Sequence, residues 1–286
     1  MTSDRTEPDE TLRRRSVGSP TARSLLMTVL GQYVLLALDG VWQETLVAAL
    51  GAIGYREQAA RQALGRSARA GWLRTERHGR RARILLTDAG QQLFTTGAER
   101  IYSFGQPWEW DGRWLLVILR VPEQRRDIRH QLRSRLAWAG LGSLGSGVWI
   151  TPHVGREAEL SSAIRDEPLA DARSFVAQVG ALGDPQQLVA DAWDLAGVRD
   201  QYKAFIEDFA RVRPSTPAAY FRQQTLLVHA WRRFPFLDPD LPKSLLPAEW
   251  PRERAHSLFT DRHRRWATGA DCYFAQLDAS YGDPLP

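Results

Sequence analysis

Between Gly54 and Arg83 the chain carries nine arginines, at 56, 61, 66, 69, 74, 77, 80, 81 and 83, against two acids, Glu57 and Glu76. That local excess is larger than the +5 net charge of the whole 286-residue chain. Guanidinium forks neutralise phosphates and read guanine edges, and the amides of Gln58 and Gln62 in the same stretch suit adenine edges. A charge run alone is usually a solvated face, so the elements that carry these residues decide what the charge is for.

Those elements follow a recognisable order. Leu25, Leu26, Val29, Leu30 and Tyr33 recur at helical spacing behind Thr21, a capping-competent hydroxyl. Asp39-Gly40 turns the chain, and a second helix from Glu44 to Ala52 carries Leu46, Val47 and Leu50 before Gly54. A third, from Tyr55 to Ala70, places Ala60, Ala63, Leu64 and Ser67 on one face and Gln58, Arg61, Gln62, Gly65, Arg66 and Arg69 on the other. Such a helix can be anchored on one side and laid in a DNA groove on the other, with Gly65 allowing close backbone approach. Residues 72–77 and 82–87, joined by His78-Gly79-Arg80-Arg81, read as strand, tight turn and strand, a wing whose arginines would lie along phosphates. The predicted DNA contacts are Arg56, Gln58, Arg61, Gln62, Gly65, Arg66, Arg69, Arg80, Arg81 and Arg83. Thr87 then caps a connecting helix that runs to about Tyr102.

The remaining composition narrows the class. Hydrophobic residues make up 43% and charged residues 25%, which is globular rather than fibrous, and the length suggests more than one domain. Residues 1–19 are polar and charged with Arg13, Arg14 and Arg15 before Gly18-Ser19-Pro20, and predict a disordered tail. No run of about 18 apolar residues and no apolar leader core is present, which predicts a cytoplasmic protein with no membrane partner. The single cysteine, Cys272, allows neither an internal disulfide nor a multi-cysteine zinc site. Of the 38 basic residues only Lys203 and Lys243 are lysine, a bias attributed to base composition rather than function.

After the break at residues 106–113, Trp114 to Leu119 reads as a buried strand, 123–138 as an arginine-rich helix with Ile128, Leu132 and Leu136 inward, and 147–150 and 174–179 as further strands. Strand, helix, strand, strand suggests a small ferredoxin-like sheet. From Asp184 the pattern is helical almost to the end, interrupted by 231–242, whose rings and prolines must pack as an ordered crossing. The expected fold is α+β: a tail at 1–19, a winged helix-turn-helix at 20–103, a ferredoxin-like domain at 104–183 and a helical domain at 184–286.

Taken together, the segments 24–31, 61–66, 71–73, 79–81, 110–114, 147–150 and 231–235 resemble the phenylacetic-acid-degradation repressor family of PaaX type, across nearly the whole chain beyond residue 20. The resemblance implies a homodimeric repressor with an N-terminal winged helix, a middle domain similar to the Cas2 fold and a helical C-terminal domain. It also implies release from double-stranded operator DNA by an aryl-acyl-coenzyme A effector such as phenylacetyl-coenzyme A. Ser67 departs from the larger apolar residue usual on the inner face of the third helix.

For such an effector, apolar rings and arginines single out His229, Trp231, Arg232, Arg233, Arg262, His263, Arg264, Arg265 and Trp266, although rings at these spacings are more often core. No catalytic residue, bound cofactor or metal is predicted, because no P-loop, dinucleotide fingerprint, nucleophile elbow or paired histidine motif occurs. Two alternatives stand beside the repressor. One is a Cas2-like metal-dependent nuclease using Asp111, and the other a non-specific architectural DNA binder.

Overall fold

The computed structural model describes residues 20–106, 108–122, 124–165 and 171–282; the tail read at 1–19 lies outside them. The described chain divides into two compact units, and each is taken by itself.

The first unit comprises residues up to 95 together with 216–226 and the residues from 269. It opens with α1 (Ala22–Val29), started by a reciprocal cap in which the Ser24 amide donates to Thr21 Oγ1 (3.1 Å) and the Thr21 amide to Ser24 Oγ (3.0 Å). Such a capping box is worth about 1 kcal/mol. A π-helical turn, Leu30–Val34, follows, then the short strand β1 (Val41–Trp42) and α2 (Gln43–Ile53). Gly54, at φ +111°, ends α2 in a left-handed conformation that costs glycine little. Next come α3 (Glu57–Arg69), β2 (Leu73–His78), β3 (Arg81–Leu86) and the start of α4 (Asp88–Ser103). The three strands form one antiparallel sheet in the order β1-β3-β2.

The core of this unit explains the element order. Leu25, Leu26 and Val29 of α1, with Leu30 of the turn that follows, meet Leu46, Ala49 and Leu50 of α2 and Ala60, Ala63 and Leu64 of α3. Small residues on the inner face of α3 let it approach closely. Phe221, Ala270 and Phe274, from far along the chain, complete the same core, with Tyr33 stacked on Phe274 at 4.9 Å between ring centroids. They belong to α9 (Pro217–Trp231) and α11 (Arg252–Ala279).

The second unit is built around β4 (Trp114–Arg120), α5 (Arg126–Trp138), β5 (Gly142–Gly145), β6 (Val148–Thr151), α6 (Glu157–Arg165) and β7 (Asp171–Ala177). The sheet order is β5-β6-β4-β7 with every neighbouring pair antiparallel, which is the ferredoxin-like arrangement. Strand β5 and helix α6 are additions to the elements read from sequence, and with them the order becomes strand, helix, strand, strand, helix, strand.

Along β4 the side chains alternate as a two-sided strand demands. Leu115, Val117 and Leu119 pack with Ile128, Leu132 and Leu136 of α5 and Leu160 and Ile164 of α6. Trp114, with Ile150, instead meets Val189 of α7 (Pro185–Ala192) and Leu241 and Leu245. The edge strand β7 is exposed along its whole length, with Phe175 and Val176 at 50% and 44% of full exposure. Among the described residues no strand pairs with its outer edge.

The rest of this unit is helical: α8 (Leu195–Ala210), the last turns of α9, the short α10 (Phe234–Leu237) and most of α11. The crossing at 231–242 is ordered around an aromatic stack and an ion network. Tyr202 lies flat on Phe234 (4.1 Å between centroids, 1° between planes), and Trp231 on Phe259 (4.7 Å, 12°). The Tyr202 hydroxyl donates to Asp238 Oδ2 (2.7 Å), and Arg252 donates to Asp240 Oδ1 (2.7 Å) and the Leu241 carbonyl (2.7 Å) with Asp238 at 3.5 Å. Burial, with the Asp238 charge beside it, pushes the Tyr202 phenol well up, so it stays a neutral donor.

His153 Nε2 faces the Pro239 and Asp240 carbonyls at 3.3 and 3.1 Å. Burial, with Arg156 next in effect, lowers its pKa to about 4. The unfolded chain therefore takes up a proton near pH 6.5 that the folded chain refuses until about pH 4, and stability is lost as pH falls between those values. In a His153→Gln variant, the fall in urea midpoint between pH 7 and pH 5 is expected to shrink by the equivalent of about 2 kcal/mol.

Candidate nucleic-acid interface

Helix α3 presents its two faces as the pattern demanded. Ala60, Ala63, Leu64 and Ser67 are buried, while Gln58, Arg61, Gln62, Gly65, Arg66 and Arg69 are exposed. Ser67 is fully buried and its hydroxyl donates to the Ala63 carbonyl one turn back at 3.0 Å, which satisfies the polar group that replaces an apolar one. At Gly65 an added Cβ would meet nothing within 4 Å, so the backbone there opens outward.

On the outer face Arg61 Nε is paired with Glu57 one turn earlier at 2.7 Å, with both side chains about half exposed. An exposed pair of this kind is worth a few tenths of a kcal/mol and gives way readily to a phosphate or a base edge. Arg66 and Arg69 lie in the last turn of α3 and have no acidic partner among the described residues. Arg56 is exposed at the N-cap position, in an extended conformation.

The hairpin separates its arginines into two roles. His78 pairs with Arg81 across the turn, leaving Gly79 (φ +59°) and Arg80 at the tip, with Arg80 exposed. Arg83, expected as a DNA contact, is instead half-buried: it donates to the Asp39 carbonyl at 2.9 Å, and its guanidinium lies 4.8 Å above the Trp42 ring. Arg81 donates to the backbone carbonyls of Tyr281 and, at 3.5 Å, Gly282. Both side chains are thereby tied to backbone carbonyls of this unit, Arg83 half-buried and Arg81 exposed beside the tip. Arg80 is the hairpin arginine of the predicted set that remains free to project.

Against this geometry stand the relatives. One family, described as PaaX-like protein, matches residues 21–90; the PaaX protein central Cas2-like domain matches 107–189; and the PaaX-like protein C-terminal domain matches 193–276. The chain belongs to the PaaX family. It is 29% identical over 275 residues to the transcriptional repressor PaaX of Escherichia coli K12, covering 92% of this chain and 86% of that protein. Its fold is similar to the solved structure of an uncharacterized Mycobacterium tuberculosis protein, with a TM-score of 0.60 at 24% identity, covering 88% of this chain and 98% of the other.

In the Cas2-like domain of this PaaX-family chain, Asp111 is engaged by Arg113 two residues on. Its carboxylate accepts from the Arg113 amide (2.9 Å) and guanidinium (2.6 Å), and those bonds pull its pKa down. Among the described residues no group of three His, Cys, Asp or Glu could hold a metal ion.

The residues singled out for an effector fall into distinct environments. Trp231 and Trp266 are core residues, and His229 and Arg262 are also buried. Arg262 donates to the Ala210 carbonyl at 2.7 Å, satisfying the C-terminal end of α8. Arg264 and Arg265 are exposed and tied to Asp261 at 3.7 and 2.8 Å, while His263 meets the Tyr102 hydroxyl at 3.3 Å. Arg232 and Arg233 are half-buried, and burial lowers both, Arg232 to about 10. The rings therefore hold the core together, and the exposed arginines have an acid of their own.

Two features of this region had no local signal in the sequence. Arg23, at the start of α1, places its guanidinium 5.2 Å over the Trp72 ring. Asp278, near the C-terminus, accepts from the Trp42 amide and the Thr45 hydroxyl.

Proposed function

We propose that this chain is a sequence-specific DNA-binding repressor of a catabolic operon, released from its operator by an aryl-acyl-coenzyme A thioester of the phenylacetyl-coenzyme A kind. The observation that carries the DNA reading is α3: one face locked to α1 and α2, the other exposing Gln58, Arg61, Gln62, Arg66 and Arg69 together. In this reading α1, α2 and α3 with the β2–β3 hairpin work as a winged helix-turn-helix. Helix α3 enters the major groove, Gln58, Arg61 and Gln62 reach base edges, and Arg56, Arg66, Arg69 and Arg80 neutralise phosphates. The name of the Escherichia coli relative, a transcriptional repressor, supports the same reading.

Two copies would place two such helices in successive major grooves, about 34 Å apart on one face of the duplex. The second unit offers a surface suited to holding the pair. Strand β7 has an unpaired outer edge among the described residues, with Phe175 and Val176 exposed, and an open edge of this length is a template for antiparallel pairing with a second β7. Phe175→Asp should shift the sedimentation profile of the full chain from dimer to monomer. A variant that stays dimeric would move the interface elsewhere.

The thioester would act by binding the conformation that does not fit DNA better than the one that does, since equal binding to both shifts nothing. Titrating phenylacetyl-coenzyme A into the protein bound to DNA from its own upstream region tests this. Release at ligand excess supports the effector; unchanged binding leaves the repressor and rejects this ligand. A repressor of this kind works in the cytoplasm, and no helix among the described residues is long and apolar enough to cross a membrane.

A further inference from the structure

Helix α2 begins without a cap of its own: its N-cap residue is Trp42, whose side chain accepts no hydrogen bond from the first turn. A carboxylate from late in the sequence sits beside that end instead. Asp278 Oδ1, in the last turn of α11, accepts from the Trp42 amide at 2.9 Å and from the Thr45 hydroxyl at 2.7 Å, across 236 and 233 residues of sequence. Thr45 is fully buried and Trp42 nearly so, so these bonds are shielded from water. A carboxylate also suits the positive end of the α2 dipole.

Trp42 in turn holds the hairpin. Its backbone pairs with Arg83 on β3, the Arg83 guanidinium lies 4.8 Å above its ring, and the His78 ring meets it edge-on at 5.8 Å. Just beyond Asp278, the carbonyls of Tyr281 and Gly282 accept from Arg81 on the same strand. His78 and Arg83 thus rest on Trp42, whose amide Asp278 holds, and Arg81 rests on the carbonyls just beyond Asp278, while Arg83 is held in addition by the Asp39 carbonyl. Phe274 and Leu277, packed in the core beneath, anchor that end of α11.

We propose that the end of α11 is a positioning clamp for the hairpin: Asp278 and the carbonyls that follow set where the Arg80 tip lies, and with it the share of DNA affinity that the tip supplies. The inference rests on the reading of this unit as a DNA-binding one. Asp278 is a positioning residue and touches no DNA itself.

The test is a double-mutant cycle on the full-length protein, reading affinity for its upstream DNA by fluorescence anisotropy at several salt concentrations. In the wild type, Arg80→Gln should flatten the slope of log affinity against log salt by about one, the mark of one lost phosphate contact. Asp278→Ala should flatten the slope by the same amount, and Arg80→Gln added to it should change nothing further. Asp278→Asn, which keeps an acceptor oxygen, should restore the wild-type slope. A merely structural role for Asp278 would lower the folded fraction and leave the slope of the folded molecules alone.

If Asp278→Ala does not fold, termination after Ser280 removes the Arg81 acceptors while keeping Asp278, and the effect of Arg80→Gln should then shrink relative to the full chain. An effect of Arg80→Gln that is equal in every background overturns the clamp while leaving DNA binding intact. A wild type that binds no DNA overturns the reading on which the clamp rests, a different and distinguishable result.

Discussion

Replacing Gln58, Arg61 and Gln62 together by alanine is expected to weaken binding to the protein's own upstream DNA by two to four orders of magnitude. Each good base contact is worth roughly 1–3 kcal/mol of discrimination, and the three side chains share one exposed face. On random DNA the same variant should lose only what the single charge of Arg61 supplies. Arg66→Gln with Arg69→Gln should behave in the opposite way, weakening both DNAs equally and flattening the salt slope by about two. Anisotropy titrations of the two variants on the two DNAs separate base reading from phosphate holding. Neither variant should alter folding, because all five side chains lie on the solvent side of α3.

The second large effect concerns stability. Arg252→Met should destabilise the second unit by about 3–5 kcal/mol, since it strands the Asp238 side chain, fully buried, without its cation and leaves the Leu241 carbonyl short of a donor. Burial already pushes Asp240 up to about 6 despite Arg252, and without the guanidinium that carboxyl should be driven higher still. Converting Tyr202→Phe, Asp238→Leu, Asp240→Asn and Arg252→Met together should recover much of the loss, because a replacement with no buried charge escapes the desolvation cost. Urea unfolding followed by near-ultraviolet dichroism reads both. Two compact units make a single two-state fit unsafe, so the midpoint of the transition that responds to Arg252→Met is the quantity to compare.

What was legible in the sequence was local. Period 3.6 along the first three helices, the apolar residues Leu73 and Ile84 to Leu86 flanking a polar turn, and the glycine at the hairpin tip are one-segment signals, and they located α1 to α3 and the hairpin. The two faces of α3 followed from the same periodicity. Strand β5 was missed because Gly142-Ser143-Leu144-Gly145 has neither β-branched residues nor alternation, and it pairs only because β6 offers an edge. Helix α6, with its short apolar pattern of Leu160 and Ile164, was passed over for want of length.

Roles set by distant contacts were not legible at all. Arg81 and Arg83 read as DNA contacts on charge and position, yet their partners are the Tyr281 and Asp39 carbonyls, which no spacing rule anticipates. Phe221 and Phe274 complete the core of the DNA-reading unit from late in the chain, so the folded unit is not a contiguous stretch of sequence. Trp231 looked equally suited to a ligand or to a core, and only its stack on Phe259 and complete burial decide for the core.

The central claim is that α3 reads a particular DNA sequence. The most direct measurement is a competition titration of the full-length protein on labelled DNA from its own upstream region, with that same DNA or bulk random DNA as competitor at one fixed salt concentration. The account predicts that the unlabelled upstream DNA displaces the probe at concentrations at least a thousandfold lower than random DNA, in line with the roughly 10³–10⁷ ratio of specific to non-specific binding. Equal displacement by the two DNAs would contradict it and leave only a phosphate-binding protein.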